Sequence, residues 1–250
     1  MTSTISFAAA VPIGAWHDFI PHAFASLASQ DVELEVALLD ASGDPRVAEA
    51  AKCAQLAFAY RRHGPDQGQS DAIDEGWRKT TGSVVFWLNG DDRLTPGALK
   101  QVKALFDNDP DLDVIYGQSD FIDGQGCRIG RHDQTGEISD LLLRSNIISQ
   151  PSCFVRRSAL DSIQGVDKSL HYVMDWDLWI RLYRNGARFL HTDQIYSEVY
   201  IGRDTKTGAV SPVRLAEVFN LVRRHAGYWP ALKSTAALAT HTLQSRRQQA

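Results

Sequence analysis

Cysteine is scarce in this chain of 250 residues. Cys53, Cys127 and Cys153 stand far apart and form no Cys-x-x-Cys pair, which excludes the spacing of a zinc ribbon or a dithiol redox site. His17, His22, His63, His132, His171 and His191 likewise show no metal-ligand spacing and read as surface or core residues. A surplus of positive charge is missing too. With 26 Lys and Arg against 30 Asp and Glu the net charge is −4, which argues against a nucleic-acid partner held by counterion release. No apolar run is long enough to span a bilayer, and Met1-Thr2-Ser3-Thr4 lacks the basic start and apolar core of a secretion signal, so a cytoplasmic location is expected. Neither a repeat nor a low-complexity tract interrupts the chain. Absent as well are Gly-x-Gly-x-x-Gly after the first strand and any Gly-x-x-x-x-Gly-Lys-Ser/Thr, so a phosphate ligand would rest on metal and side chains rather than on a glycine-rich loop.

What is present is an alternation of short apolar runs and helical patterns. Ile5 to Val11 reads as a buried strand that Pro12-Ile13-Gly14 breaks, followed by a helix with Phe19, Ile20, Phe24 and Leu27 on one face. Leu34 to Leu39 is a second strand, after which Pro45 suits the first turn of a helix. Leu56 to Tyr60 and Ser83 to Leu88 supply two more strands, and Pro96 to Phe106 another helix. This order predicts a mostly parallel sheet with helices on both faces. Asp113 to Tyr116 begins a further strand, and Asp123-Gly124 marks a hairpin. Ile138 to Arg144 reads as a short helix, Cys153 to Val155 as a strand, Asp175 to Tyr183 as a helix and Arg188 to Ile195 as a strand. Trp176 and Trp179 sit at helical spacing and are expected in the core.

Asn89-Gly90-Asp91-Asp92 closes the run Ser83 to Leu88. By itself this is ordinary turn chemistry. At the carboxyl end of a buried strand, however, ligands of open α/β sheets are found, and adjacent carboxylates suit a hard dication whose remaining positions go to phosphate oxygens.

The surrounding segment decides between the two. Asp66, Gly68, Asp71, Ala72, Ile73 and Gly76, followed by Asn89, Gly90, Asp91 and Asp92, resemble the stretch Asp-x-Gly-x-x-Asp-Ala-Ile-Asn-x-Gly, helix, strand, Asn-Ser-Asp-Asp of the family 2 inverting glycosyltransferases. The resemblance covers about residues 5–205. It implies an α/β fold, a single GT-A-type (Rossmann-like) domain over residues 1–210 with a helical tail at 211–250. It also implies a nucleotide-diphosphate sugar as donor, Mn²⁺ or Mg²⁺ as cofactor, and a glycan or lipid-linked acceptor.

The same resemblance assigns residues. Asp40 and Asp44 match the family's Asp-Gly-Ser-x-Asp turn, in which the first acid meets the nucleotide base; a carboxylate can accept the imide N–H of uracil or thymine, or the two donors of guanine's edge. Read from the residues alone, both acids equally serve to cap the helix after Pro45. Asp66 and Asp71 fall near the donor, although Ser70 or Asp71 can also start a helix. Asp92 is placed on the metal and Asp91 beside it, near ribose. Asp175 takes the position of the general base, with Met174 where the family has Glu and Asp177 as competitor. Gln150 shapes the acceptor side. The family's Arg-x-His has no counterpart at Tyr200-Ile201-Gly202, which leaves Arg203 or Lys206 to supply that charge.

The tail carries Leu215, Val218, Phe219 and Val222 at helical spacing beside Arg223-Arg224-His225, a basic amphipathic pattern that fits the domain, a partner or an anionic membrane surface. Two rival readings remain open. A sugar nucleotidyltransferase needs a basic, glycine-rich loop after the first strand, and Pro12-Ile13-Gly14-Ala15 has no such charge. A non-catalytic relative is favoured by Met174 and the missing Arg-x-His, and disfavoured by intact Asp91, Asp92 and Asp175.

Overall fold

In a computed structural model covering residues 5–132, 138–202 and 211–248, the apolar runs assemble into one sheet. The strands are β1 (Phe7–Ile13), β2 (Leu34–Asp40), β3 (Phe58–His63), β4 (Val84–Trp87), β5 (Asp92–Leu94), β6 (Val114–Ile122), β7 (Arg128–His132), β8 (Cys153–Arg156) and β9 (Phe189–Tyr200). Their order is β3-β2-β1-β4-β8-β6-β9-β5, with β7 paired to β6. The four N-terminal strands β1 to β4 are mutually parallel, β6 and β9 run the same way, and β5, β7 and β8 run against them. The sheet is therefore mostly parallel, as the alternating pattern predicts.

Side chains alternate across β1, β2 and β4 into two cores. Ala8, Ala10, Ala37, Leu39, Val85 and Trp87 face one side. There they meet α3 (Gln69–Arg78), α6 (Met174–Arg184) and α7 (Pro212–Ala226). Phe7, Ala9, Val11, Val36, Leu38 and Phe86 face the other side, under α1 (Ile20–Ala28), α2 (Pro45–Cys53) and α4 (Ala98–Asn108). Strands buried on both faces must be apolar at every position, which is why these segments read as continuous runs. Trp179 is fully buried and stacks on Trp87 with ring centroids 5.9 Å apart. Trp176 donates its indole N–H to the Leu142 carbonyl at 2.6 Å. Both indoles are core, as expected from their spacing.

Several boundaries differ from the sequence reading, among them the last strand, which runs to Tyr200 rather than Ile195. Proline does not end β1: the strand continues through Pro12 to Ile13. The Ala10 carbonyl accepts from Leu88 N–H on the β4 side, and the Ile13 carbonyl accepts from Ala41 N–H on the β2 side. Alternation turns Pro12 toward β4, beyond the last paired residue Trp87, where no ladder donor is required. The third strand runs to His63 rather than Tyr60, because β2 offers pairing as far as Asp40. Ile138 to Arg144 yields only a 3-10 turn at Asp140–Leu143.

The tail does not stand away from the domain. Val218, Leu221 and Val222 of α7 and Ala231 of α8 (Tyr228–Gln248) are buried in the same core as α6. Arg184 donates to the His225 carbonyl at 3.0 Å and Ser234 Oγ to the Arg144 carbonyl at 2.8 Å. The apolar face of α7 is thus taken up by the domain. Among the described residues no helix is long and apolar enough to cross a membrane.

Candidate active site

The carboxyl ends of β1 and β4 open into a cleft of about 1640 Å³. Asp66, Asp91, Asp92, Gln150 and Asp175 line it, while Asp40, Asp44 and Asp71 do not. Five of the acids and amides singled out in the sequence, from segments up to 109 residues apart, therefore meet in one place.

At its floor lies a network centred on Asn89. The amide Nδ2 of Asn89 donates to Asp92 Oδ2 at 3.0 Å and to Gln150 Oε1 at 3.2 Å, and its Oδ1 accepts from Gln69 Nε2 at 2.8 Å. Gln150 Nε2 donates to the Trp87 carbonyl at 2.7 Å, so the end of β4 and the loop before β8 are locked together. Gly90 makes the tight passage possible. A Cβ there would stand 2.6 Å from Ile13 Cδ1 and 3.0 Å from Ile20 Cγ1, which accounts for glycine where the family pattern has serine. The loop carrying Gln150 is itself anchored by a buried hydroxyl cluster: Ser119 Oγ lies 2.7 Å from Ser149 Oγ, 2.9 Å from Ser152 Oγ and 2.8 Å from Ser197 Oγ.

Asp92 is buried at 4% exposure and Asp91 beside it is partly open. Burial first, and then the Asp91 charge, push the Asp92 carboxyl well above the ordinary carboxylate range, while hydrogen bonds from Asn89 and the Tyr200 backbone act the other way. Two carboxylates crowded in a low-dielectric floor are the electrostatic setting that a dication relieves. Among the described residues no group of three or more His, Cys, Asp or Glu could hold a metal. The chain's own share would end at the Asp91–Asp92 pair, a donor set that suits Mg²⁺ or Mn²⁺ completed by water and phosphate oxygens.

Asp175 sits in the first turn of α6 and accepts from Asn146 Nδ2 at 2.9 Å. Its charge also acts on Arg214 of α7, whose guanidinium burial holds below its usual pKa. Met174 is buried and its sulfur lies 2.8 Å from Ser70 Oγ. Asp177 points elsewhere: buried at 1% exposure, it takes Arg181 Nε at 2.6 Å, with Arg224 Nη1 4.0 Å away.

The remaining acids have structural partners. Asp40 Oδ1 accepts from Ser42 N–H at 2.9 Å and Ser42 Oγ at 2.6 Å, and Oδ2 lies 2.9 Å from His63 Nδ1. Asp44 caps α2, accepting from Arg46 N–H at 2.9 Å and pairing with the Arg46 guanidinium, which lowers its pKa. Asp66 Oδ1 accepts from Gly68 N–H at 2.9 Å and Oδ2 from Arg62 Nη2 at 3.2 Å. Gly68, at φ +119°, is the N-cap of α3 in place of Ser70 or Asp71; a side chain would be strained there. The Ser70 hydroxyl instead donates to the Leu170 carbonyl at 2.7 Å. Asp71 pairs with Lys168 at 3.0 Å, which lowers its pKa. Arg203 and Lys206 lie outside the described residues.

Sequence reasoning did not find Asn146, Arg144, Arg214, Trp229 or Lys233, all of which line the cleft. No spacing connects them to the carboxylates. Only the docking of α7 and α8 brings the last three there.

Comparison with known proteins agrees with this geometry. The sequence model of glycosyl transferase family 2 matches residues 15–163. A PGL/p-HBAD biosynthesis glycosyltransferase of Mycobacterium bovis is 27% identical over 201 residues, 73% of this chain and 73% of that protein. The O-antigen biosynthesis protein RfbC of Myxococcus xanthus is 30% identical over 126 residues, 50% of this chain but 10% of its own length. An uncharacterized Mycobacterium tuberculosis protein is matched over 56% of its length, so this chain spans only part of the first relatives it resembles. Among solved structures, TarS 1–349 of S. aureus in complex with UDP-GlcNAc superposes with a TM-score of 0.71 at 20% identity, covering 88% of this chain and 66% of that one. The mannosyltransferase PcManGT of Pyrobaculum calidifontis, in complex with GDP-Man and Mn²⁺, gives 0.62 at 15% identity, with 97% and 76% covered. At these identities the likeness establishes the fold, the single GT-A-type α/β domain that the sequence implies.

Proposed function

The chain belongs to glycosyl transferase family 2, and on that premise we propose that it moves a sugar from a nucleoside-diphosphate sugar to an acceptor hydroxyl, with inversion, in one displacement. The observation that carries this reading is the cleft itself, which joins a carboxylate pair beyond the end of β4, Asp92 buried and Asp91 partly open, to a separate carboxylate at a helix start. A metal-linked diphosphate belongs at the first and a proton acceptor at the second.

Asp92, with Asp91 beside it, would hold Mn²⁺ or Mg²⁺, which when bound neutralises charge developing on the diphosphate. Asn89 and Gln150 keep the Asp92 carboxylate aimed into the cleft by fixing the end of β4. Asp66 and Asp91 would meet the donor ribose. Asp40 and Asp44 would frame the nucleotide side, Asp40 through the turn that Ser42 and His63 hold; Asp71, paired with Lys168, would support the same loop from outside the cleft. Asp175 takes the proton from the acceptor hydroxyl as that oxygen bonds to the anomeric carbon and the bond from that carbon to the diphosphate oxygen breaks. Asn146 orients the base by its 2.9 Å hydrogen bond. Arg214 supplies positive charge within the cleft, where Arg-x-His is missing from the sequence.

The relatives' names support a role in building a surface polysaccharide or glycolipid, and hence a glycan or lipid-linked acceptor. The chain would work in the cytoplasm, and contact with an anionic membrane surface would run through exposed Tyr228, Trp229 and Leu232 with the neighbouring basic residues.

A thermal-shift screen of UDP, GDP, dTDP and CMP with their sugars, each with and without Mn²⁺, tests the proposal. A Mn²⁺-dependent rise with one nucleoside diphosphate is expected. A flat response to all of them would favour the non-catalytic relative.

A further inference from the structure

The lining of the cleft divides by charge and by element. Its acids, Asp66, Asp91, Asp92 and Asp175, come from strand ends and the start of α6, whereas its Lys and Arg residues are Arg144, Arg214 and Lys233. Arg144 follows the 3-10 turn, and the other two belong to α7 and α8. Between residues 211 and 250 the sequence holds one acid, Glu217. That carboxylate is occupied by the N–H groups of His171 and Tyr172 at 3.0 Å and 2.7 Å. The helical wall is therefore cationic, with the Asp175 charge acting on Arg214 alone of its three cations.

This wall is also apolar in a patterned way. Trp229, Lys233 and Ala237 recur every fourth residue, and Pro230, Ser234 and Leu238 repeat the same step, so one face of α8 lines the cleft. At the head of that face Trp229 is 73% exposed, next to Tyr228 at 55%. An indole left in water at the mouth of a cleft is apolar surface awaiting a ligand. The Ser234 hydroxyl donates to the Arg144 carbonyl, which ties the backbone at Arg144 to the residue after Lys233, and both residues line the cleft, one a planar fork and the other a point charge. That pair can share the several oxygens of a phosphate.

We propose that the α7–α8 wall receives the acceptor, and that the acceptor is an anionic amphiphile: a phosphate ester bound between Arg144 and Lys233, with its apolar part along Trp229, Ala237 and Leu238. The word acceptor rests on the transferase reading above; the binding itself does not.

The test is a fluorescence titration of the full chain with octyl phosphate, with octyl glucoside, octanoate and inorganic phosphate as comparisons, and Trp229→Phe to assign the signal. Octyl phosphate should bind at least about tenfold more tightly than each comparison ligand. Arg144→Ala/Lys233→Ala should weaken it by about tenfold or more, and Trp229→Ala should bring it close to inorganic phosphate. All three positions are exposed, so melting temperatures should stay near that of the parent chain. Equal binding of octyl glucoside or octanoate, an unchanged affinity in the double variant, or displacement of octyl phosphate by a nucleoside diphosphate with Mn²⁺ would each overturn the assignment. If octyl phosphate binds as expected but no nucleoside diphosphate stabilises the chain, the transferase reading fails and the anionic wall stands. The reverse result removes the wall alone.

Discussion

Replacing Asp92 with Asn should make the metal-free protein more stable and the metal-loaded protein less so. The carboxyl is buried at 4% exposure, and burial together with the Asp91 charge raises its pKa well above the ordinary 3.8. A group that binds its proton more tightly when folded stabilises the fold at acid pH; between the ordinary and the raised value, stability falls as pH rises. Each pH unit in that window costs about 1.4 kcal/mol. The amide removes this term, keeps the shape, and can present its oxygen to Asn89 Nδ2, which now donates at 3.0 Å. A gain of about 1–3 kcal/mol at neutral pH is expected, on the scale of a poorly compensated buried group. For a chain of this size that is a rise of about 2–4 °C per kcal/mol in melting temperature. Differential scanning calorimetry in a chelator, from about pH 8 down to about pH 5, should show the advantage of Asp92→Asn shrinking toward acid as the parent carboxyl takes up its proton. With Mn²⁺ and the nucleotide that binds, only the parent should gain stability. An Asp92→Asn protein that melts no higher than the parent at neutral pH in chelator would refute the electrostatic account of this floor.

Asp175→Asn should lower turnover by about 10²–10⁴-fold and leave donor affinity intact, read as nucleoside-diphosphate release against a donor titration; turnover within a few-fold of the parent would move the base elsewhere. Asp177→Ala should destabilise by about 2–4 kcal/mol in denaturant unfolding, below the cost of breaking a fully buried pair because the Arg181 side chain keeps 26% exposure. An effect under about 0.5 kcal/mol would show the pair to be idle. Gly76→Ala puts a Cβ 2.9 Å from both Ala10 Cβ and Leu39 Cδ2. Overpacking of about 1–3 kcal/mol should outweigh the helix-propensity gain of about 1 kcal/mol, and a higher melting temperature would mean that β1 yields to α3.

Part of the candidate site is legible in the order of residues. Asp91 and Asp92 stand at the end of an apolar run that only a doubly buried strand explains, and Asp175 lies at the start of a helical pattern. Asp44, in the turn after β2, reads equally well as a cap, and the cap is what forms. Asp40 and Asp71 cannot be placed from spacing, since the side chain of each is claimed by His63 or Lys168, residues 23 and 97 positions away.

Hydrophobic periodicity and the length of apolar runs are local properties of the chain, and they suffice to dictate the alternation of strands and helices, the sheet, and the strand end that carries the carboxylate pair. They do not dictate that Asn89 holds Asp92 and Gln150 together, that Asn146 meets Asp175, or that α7 and α8 close the cleft with Arg214, Trp229 and Lys233. Those contacts arise from tertiary packing: they join segments with no periodic relation to one another, so their energy exists only once the sheet has brought them within a few ångströms.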